Sequence, residues 1–173
     1  MLDSLITSKT RLKLLMKFFL NSQTTGYLRH LAAEFDESTN GIRQELNHLE
    51  EAKLLESELV QNKKVFRANT AHPYYMDIHK LLLKYVGIEQ LVDQVVKRVG
   101  QLQSAFIIND FAQGKPGLIL DLVLVGANFD KDYLNTLIQK AEEDLRFKIR
   151  YVCLQPDELE VFLPDYSQAI RLA

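Results

Sequence analysis

Cys153 is the only cysteine in a chain of 173 residues. A lone thiol excludes an internal disulfide framework, and it excludes a zinc or arsenic site built from several cysteines. Its neighbours are apolar and strand-like, so a buried thiol is expected. An excess of charge of one sign is also missing: the net charge is −2, which gives no global attraction to nucleic acid. Up to residue 70, ten basic side chains face nine acidic ones; beyond it, eleven face fourteen. Any anionic partner must therefore be recognised by local placement of cations. No stretch reaches the roughly 18 uninterrupted apolar residues of a membrane span. Lys13 and Lys17 interrupt the apolar run near the N-terminus, and no small-residue cleavage site follows it. A cytoplasmic protein without membrane association is expected. Metal and nucleophile signatures are absent too. His30, His48, His72 and His79 form no helical pair at zinc spacing. Gly114-Lys115-Pro116-Gly117 lacks the spacing and the Lys-Ser/Thr ending of a phosphate loop. No Ser/His/Asp arrangement stands out.

What remains is an ordinary globular composition, 47% hydrophobic and 25% charged, long enough for one or two small domains with real cores. The most informative stretch runs from Glu37 to Leu55. Ile42, Leu46, Leu49 and Ala52 fall at the spacing of a helix buried along one stripe. Asp36 and Ser38 are N-cap candidates. The opposite face carries Ser38, Thr39, Asn40, Arg43, Gln44, Asn47 and His48, hydrogen-bonding residues in place of the usual Glu/Lys mixture. Arg pairs bidentately with guanine, and Asn or Gln with adenine. Such a helix suits a DNA major groove.

Two further helices are expected before it. Ser8 to Asn21 alternates Leu12, Leu14, Leu15, Phe18 and Phe19 with Lys9, Arg11, Lys13 and Lys17, giving a basic outer face that either solvates the helix or crosses a phosphate backbone. After a loop ending at Gly26, Tyr27 to Phe35 turns Leu28, Leu31 and Ala32 inward, with Tyr27 and Arg29 at its start either simply exposed or meeting phosphates. Beyond the helix, Glu56–Val60 and Val65–Ala68 read as strands about a basic turn, Gln61-Asn62-Lys63-Lys64. This order of helices and hairpin resembles the ArsR/MarR-like winged helix-turn-helix regulators. The run Leu46 to Leu55 looks like their recognition-helix end and wing start. Lys53 departs from the family, which places Gly there to close the helix in a left-handed turn. The resemblance implies base contacts from Ser38, Thr39, Asn40, Arg43, Gln44 and Asn47, and backbone contacts from Lys63, Lys64 and Arg67.

Pro73 ends the hairpin region by biasing His72 away from helical angles. A helical tract from about Tyr75 to Val99, broken near Gly87, carries too many apolar residues for one packed stripe. A second domain or a second copy must cover the excess, and a homodimer would match a palindromic operator. From Ser104 the pattern alternates. Ala105–Ile108, Ile119–Gly126 and Phe147–Leu154 read as strands, Phe129–Leu145 and Pro156–Leu163 as helices, which makes a small α/β module.

That module is similar to minimal nucleotidyltransferase domains, whose signature is Gly-Ser, then Gly, then Asp-x-Asp on a strand. Here the Gly-Ser positions read Asn109 and Asp110, the first aspartate reads Ile119, and Asp121 alone remains. Nucleotidyl transfer needs clustered carboxylates to hold Mg²⁺ across charged phosphates. The resemblance thus implies a retained fold without catalysis, metal or cofactor, in which Asn109, Asp110 and Asp121 outline a degenerate nucleotide or effector site. The expected whole is an α+β protein. Residues 1–70 form the winged helix, 71–100 linker or dimerisation helices, and 101–173 the nucleotidyltransferase-like domain. It regulates transcription on double-stranded DNA as a homodimer, with an unidentified small-molecule effector in view. Two other readings stay open: an enzyme using Asp110 and Asp121 for Mg²⁺, and a protein-interaction adaptor suggested by Glu50, Glu51, Glu56 and Glu58. Otherwise the Glu50-Glu51 pair is expected to be a solvated helix face.

Overall fold

Helices and strands mix in the chain, which forms two sheets among the residues described by the computed structural model, 6–87, 101–115, 117–144 and 147–172. It divides into two compact units, Met1–Leu82 and Leu83–Ala173. Among the described residues no helix is long and apolar enough to cross a membrane.

In the first unit, helix α1 (Lys9–Phe19) starts where the Ser8 hydroxyl accepts the Arg11 N–H at 3.1 Å. Three of the four cations on its basic side are paired with acids of the same unit, while Lys9 is exposed. Lys17 is 4% exposed and donates to Glu34 at 2.9 Å, and Lys13 and Arg11 pair with Glu37 and Glu45. The periodicity of one helix cannot reveal that the next two helices and the turn between them supply acids to it.

The loop expected after α1 contains a strand, β1 (Thr25–Tyr27), and the following helix α2 is Leu28–Phe35. Tyr27 is extended at φ −123°, so it belongs to the strand. Gly26 leaves room there for the fully buried Leu31, one methyl of which would stand 2.9 Å from an added Cβ. Asp36 is not an N-cap. It closes α2 in the left-handed region at φ 53°, donating its N–H to Ala32 and Ala33. Ser38 alone caps helix α3 (Thr39–Glu51), accepting the Gly41 N–H at 3.2 Å. Ile42, Leu46 and Leu49 form its buried stripe, whereas Ala52, expected inward, is exposed as the C-cap. Lys53 takes the left-handed turn at φ 58° that the missing glycine would have eased.

Strands β2 (Leu55–Val60) and β3 (Lys63–Ala68) form the expected hairpin, but its turn is only Gln61-Asn62. Both residues have positive φ, 47° and 62°, the primed geometry that matches strand twist. Lys63 and Lys64 are therefore strand residues facing Val60 and Leu59, not turn residues. Strand β1 pairs antiparallel with β3, giving the order β1-β3-β2. Helix α4 (Tyr75–Val86) follows, and His79 Nδ1 lies 2.7 Å from the Phe19 carbonyl. The rest of the expected tract, from Ile88 to Val99, lies outside the described residues.

In the second unit, β4 (Gln101–Ile108), the short helix α5 (Asn109–Ala112), β5 (Ile119–Ala127), helix α6 (Lys131–Asp144) and β6 (Lys148–Leu154) follow in order. Helix α7 (Leu159–Phe162), a 3₁₀ turn at Tyr166–Gln168 and strand β7 (Ile170–Arg171) complete it. The sheet order is β6-β5-β4-β7, with β5 and β6 parallel and the other pairs antiparallel. Phe106, Val123, Val125 and Leu154 form a core on which Leu159 and Leu163 pack. Gly126 permits the closest approach: a Cβ there would sit 2.1 Å from the Gln101 carbonyl oxygen.

Candidate functional site

Helix α3 has two chemically distinct sides. Toward α1, Glu45 accepts the Ser8 hydroxyl at 2.6 Å and Arg11 Nε at 2.8 Å. Burial alone would raise its carboxyl, but these hydrogen bonds outweigh it and hold the group below 4.5. Away from α1, the expected residues Ser38, Thr39, Asn40, Arg43, Gln44 and Asn47 are all exposed, as is His48. Ser38 has one of its acceptor sites occupied by the helix cap.

The wing cations differ from one another. Lys64 Nζ donates to Glu50 at 2.6 Å and stands over the Phe66 ring. Glu50 also accepts the Ser57 hydroxyl at 2.5 Å, so it ties α3 to the hairpin, contrary to the expected solvated face. The hydrogen bonds from Lys64 and then Ser57 hold its carboxyl below 4.5 against the opposing effect of burial. Arg67 pairs with Glu56 at 2.8 Å. Lys63 lies 4.8 Å from the centre of the Tyr27 ring, an arrangement in which the ring face attracts the ammonium.

Three elements enclose a groove of about 530 Å³ in this unit. Leu28, Leu46 and Phe66 make its apolar part. Arg29 enters from the start of α2, Arg43 and Asn47 from α3, and Asn62, Lys63 and Lys64 from the hairpin, with Tyr27 at the edge of the sheet. No carboxylate lines it. Among the described residues neither Arg29 nor Arg43 has an acidic partner. The groove thus gathers Arg43, Asn47, Lys63 and Lys64 from the expected set; Ser38, Thr39, Asn40, Gln44 and Arg67 do not line it. Tyr27 and Arg29, readable from the sequence as exposed helix-start residues or as phosphate contacts, line it as well. Asn62 carried no signal beyond its place in a turn.

In the second unit, Asn109 and Asp121 come together and Asp110 does not join them. Asn109 adopts the left-handed φ of 59°, and its amide donates to Asp121 Oδ2 at 2.9 Å. Arg150, opposite Asp121 in register, donates from Nε to Oδ1 at 2.5 Å and from Nη2 to Oδ2 at 2.9 Å. The Arg150 hydrogen bonds lower the Asp121 pKa, burial opposes them, and Asn109 adds to the lowering. Asp110 is exposed in the first turn of α5, and Ile119 is exposed at the start of β5. This donor set does not fit Mg²⁺: both oxygens of the one strand carboxylate are engaged, and a guanidinium already supplies positive charge beside them. No group of three or more His, Cys, Asp or Glu suited to a metal occurs among the described residues. Cys153 is half-buried, and burial pushes its thiol pKa up.

No protein-family model, curated protein or solved structure matches the chain.

Proposed function

We propose that the first unit is a winged helix-turn-helix that binds double-stranded DNA in a sequence-dependent manner and that the protein regulates transcription. The carrying observation is the convergence of Arg29, Arg43, Lys63 and Lys64, from three elements, on a groove lined by no carboxylate. Beside it, α3 exposes Thr39, Asn40, Gln44 and Asn47. In this reading α3 lies in the major groove, with Ser38, Thr39, Asn40, Arg43, Gln44 and Asn47 at base edges. The hairpin lies on the backbone through Lys63, Lys64 and Arg67. Phosphate contacts set the register, and base contacts set sequence choice. Helix order, the two-residue hairpin turn and the pairing of β1 with β3 support the winged-helix assignment. The exposed Met76 and Leu81 of α4 favour a homodimer. The second unit is proposed to be a nucleotidyltransferase-like fold without catalysis, because Arg150 holds the remaining aspartate.

Selection of bound fragments from a random duplex pool tests the reading, and no enriched sequence would overturn it. On an enriched site, Arg43→Ala should cost about 1–3 kcal/mol and relax preference at one position. Lys63→Ala should weaken all sequences alike and reduce the salt slope by about 0.9. Equal losses on specific and random duplexes for both variants would remove the division of roles. A second reading, a protein-interaction adaptor, draws on Leu59 and Val60, exposed by 80% and 44% near the hairpin tip. Leu59→Lys should leave duplex binding intact under the first reading and abolish partner capture under the second.

A further inference from the structure

We propose that the groove between α3, the start of α2 and the hairpin is a binding site for a free nucleoside phosphate, and that its occupant excludes duplex DNA. The exclusion rests on the DNA-binding reading; the nucleotide site itself does not.

The size is appropriate. About 530 Å³ lies within the range of roughly 300–1,000 Å³ typical of small-molecule sites. The distribution of chemistry is more informative. Leu46 and Phe66 are 1% and 4% exposed, so the deep part of the groove is apolar wall belonging to the core. Four cations line it without any carboxylate, which favours an anion over a neutral or cationic ligand. Two of them are arginines on different helices, and a guanidinium fork matches phosphate oxygens in pairs. Lys64 already shares its charge with Glu50, which leaves Arg29, Arg43 and Lys63 as the stronger phosphate ligands. Asn47 and Asn62 each offer an amide donor and acceptor, the pattern that pairs with the edge of a nucleobase.

A duplex backbone presents phosphates and sugars outward and keeps its bases stacked inside. It satisfies a cationic rim but gives apolar walls nothing planar to cover. A free nucleotide brings a flat heteroaromatic ring and a phosphate dianion together. Its phosphate would lie among Arg29, Arg43 and Lys63, and its base over the half-buried Leu28, above the floor made by Leu46 and Phe66, within reach of the two amides. Arg43, Asn47 and Lys63 would then be engaged by the nucleotide and lost to DNA.

Calorimetric titration of the full chain with AMP, adenosine and inorganic phosphate tests the site. AMP should bind at least about tenfold more tightly than either fragment, because only AMP uses both halves of the groove. Arg29→Gln should weaken AMP by about fivefold or more, while Lys80→Gln, an exposed change on α4, should not. Inorganic phosphate binding as tightly as AMP would overturn the proposal, leaving only a cluster of cations. Equal losses in the two variants would overturn it as well. Competition against a labelled duplex then separates the two claims. Displacement by AMP supports exclusion. AMP that binds without displacing the duplex refutes exclusion and leaves the DNA reading standing. A chain that binds AMP but no duplex keeps the nucleotide site and overturns the regulator.

Discussion

Replacing Glu50 by Gln should tighten duplex binding, because Glu50 restrains a cation proposed to meet the backbone. Its carboxylate holds Lys64 at 2.6 Å and Ser57 at 2.5 Å. The side chains of Lys64 and Glu50 are 47% and 30% exposed, so solvent screens the pair, and its loss should cost no more than about 1 kcal/mol of stability. Gln keeps an acceptor for the Ser57 hydroxyl. On the binding side, a unit charge about 4 Å from a phosphate in water is worth about 1 kcal/mol, or roughly fivefold in affinity. One more neutralised phosphate should also steepen the dependence of log K on log salt by about 0.9. Glu51→Gln is the matched control: it removes the same charge one residue away, where no cation is paired with Glu51 among the described residues. Fluorescence anisotropy of a labelled duplex between low and moderate salt reads both quantities. If Glu50→Gln and Glu51→Gln gain equally with unchanged slopes, Lys64 is not released onto a phosphate and its assignment to the backbone is wrong.

Lys17→Met should destabilise the first unit by removing the ammonium 2.9 Å from the buried Glu34, whose other oxygen stands 3.6 Å from His30 Nδ1, and adding Glu34→Leu should recover most of that loss; urea unfolding of the single and double variants decides it. Lys53→Gly should raise the thermal midpoint, since the left-handed φ of 58° costs a side-chain-bearing residue about 1–2 kcal/mol, and an unchanged or lower midpoint would deny the strain. Acid should weaken the first unit. Glu37, Glu45 and Glu50 all sit below their ordinary 4.5 when folded, so their contribution is complete above that pH and is lost as pH falls through the folded values. A urea midpoint that does not fall on acidification below 4.5 would contradict that direction.

The long periodic segments were legible from residue order because their signals are local. The stripe Ile42, Leu46, Leu49 identifies α3, and the polar run Gln61 to Lys64 locates the hairpin, although its last two residues belong to the strand. Strand β1 was not legible: three residues hold it, and its partner Arg67 lies some forty positions away at Thr25. Strand β7, two residues long, depends likewise on β4. The fate of the cations on α1 was hidden for the same reason, since Glu34 and Glu45 belong to other helices and Glu37 to the turn between them. Asp36 shows a different limit. A short oxygen-bearing side chain suits both an N-cap and a left-handed C-cap, and the chain used the second. The groove was half legible. Arg43 and Lys63 carried a chemical signal of their own, but Arg29 read equally as plain exposure until folding brought α2 beside the hairpin.

The turn Gln61-Asn62 contains no glycine although both residues lie in the left-handed region. Such a bend has few other shapes to visit, so the two lysines after it are spaced before any ligand arrives. Little wing motion is then left to freeze on association. Softening the bend should shorten the lifetime of a complex far more than it slows the first encounter.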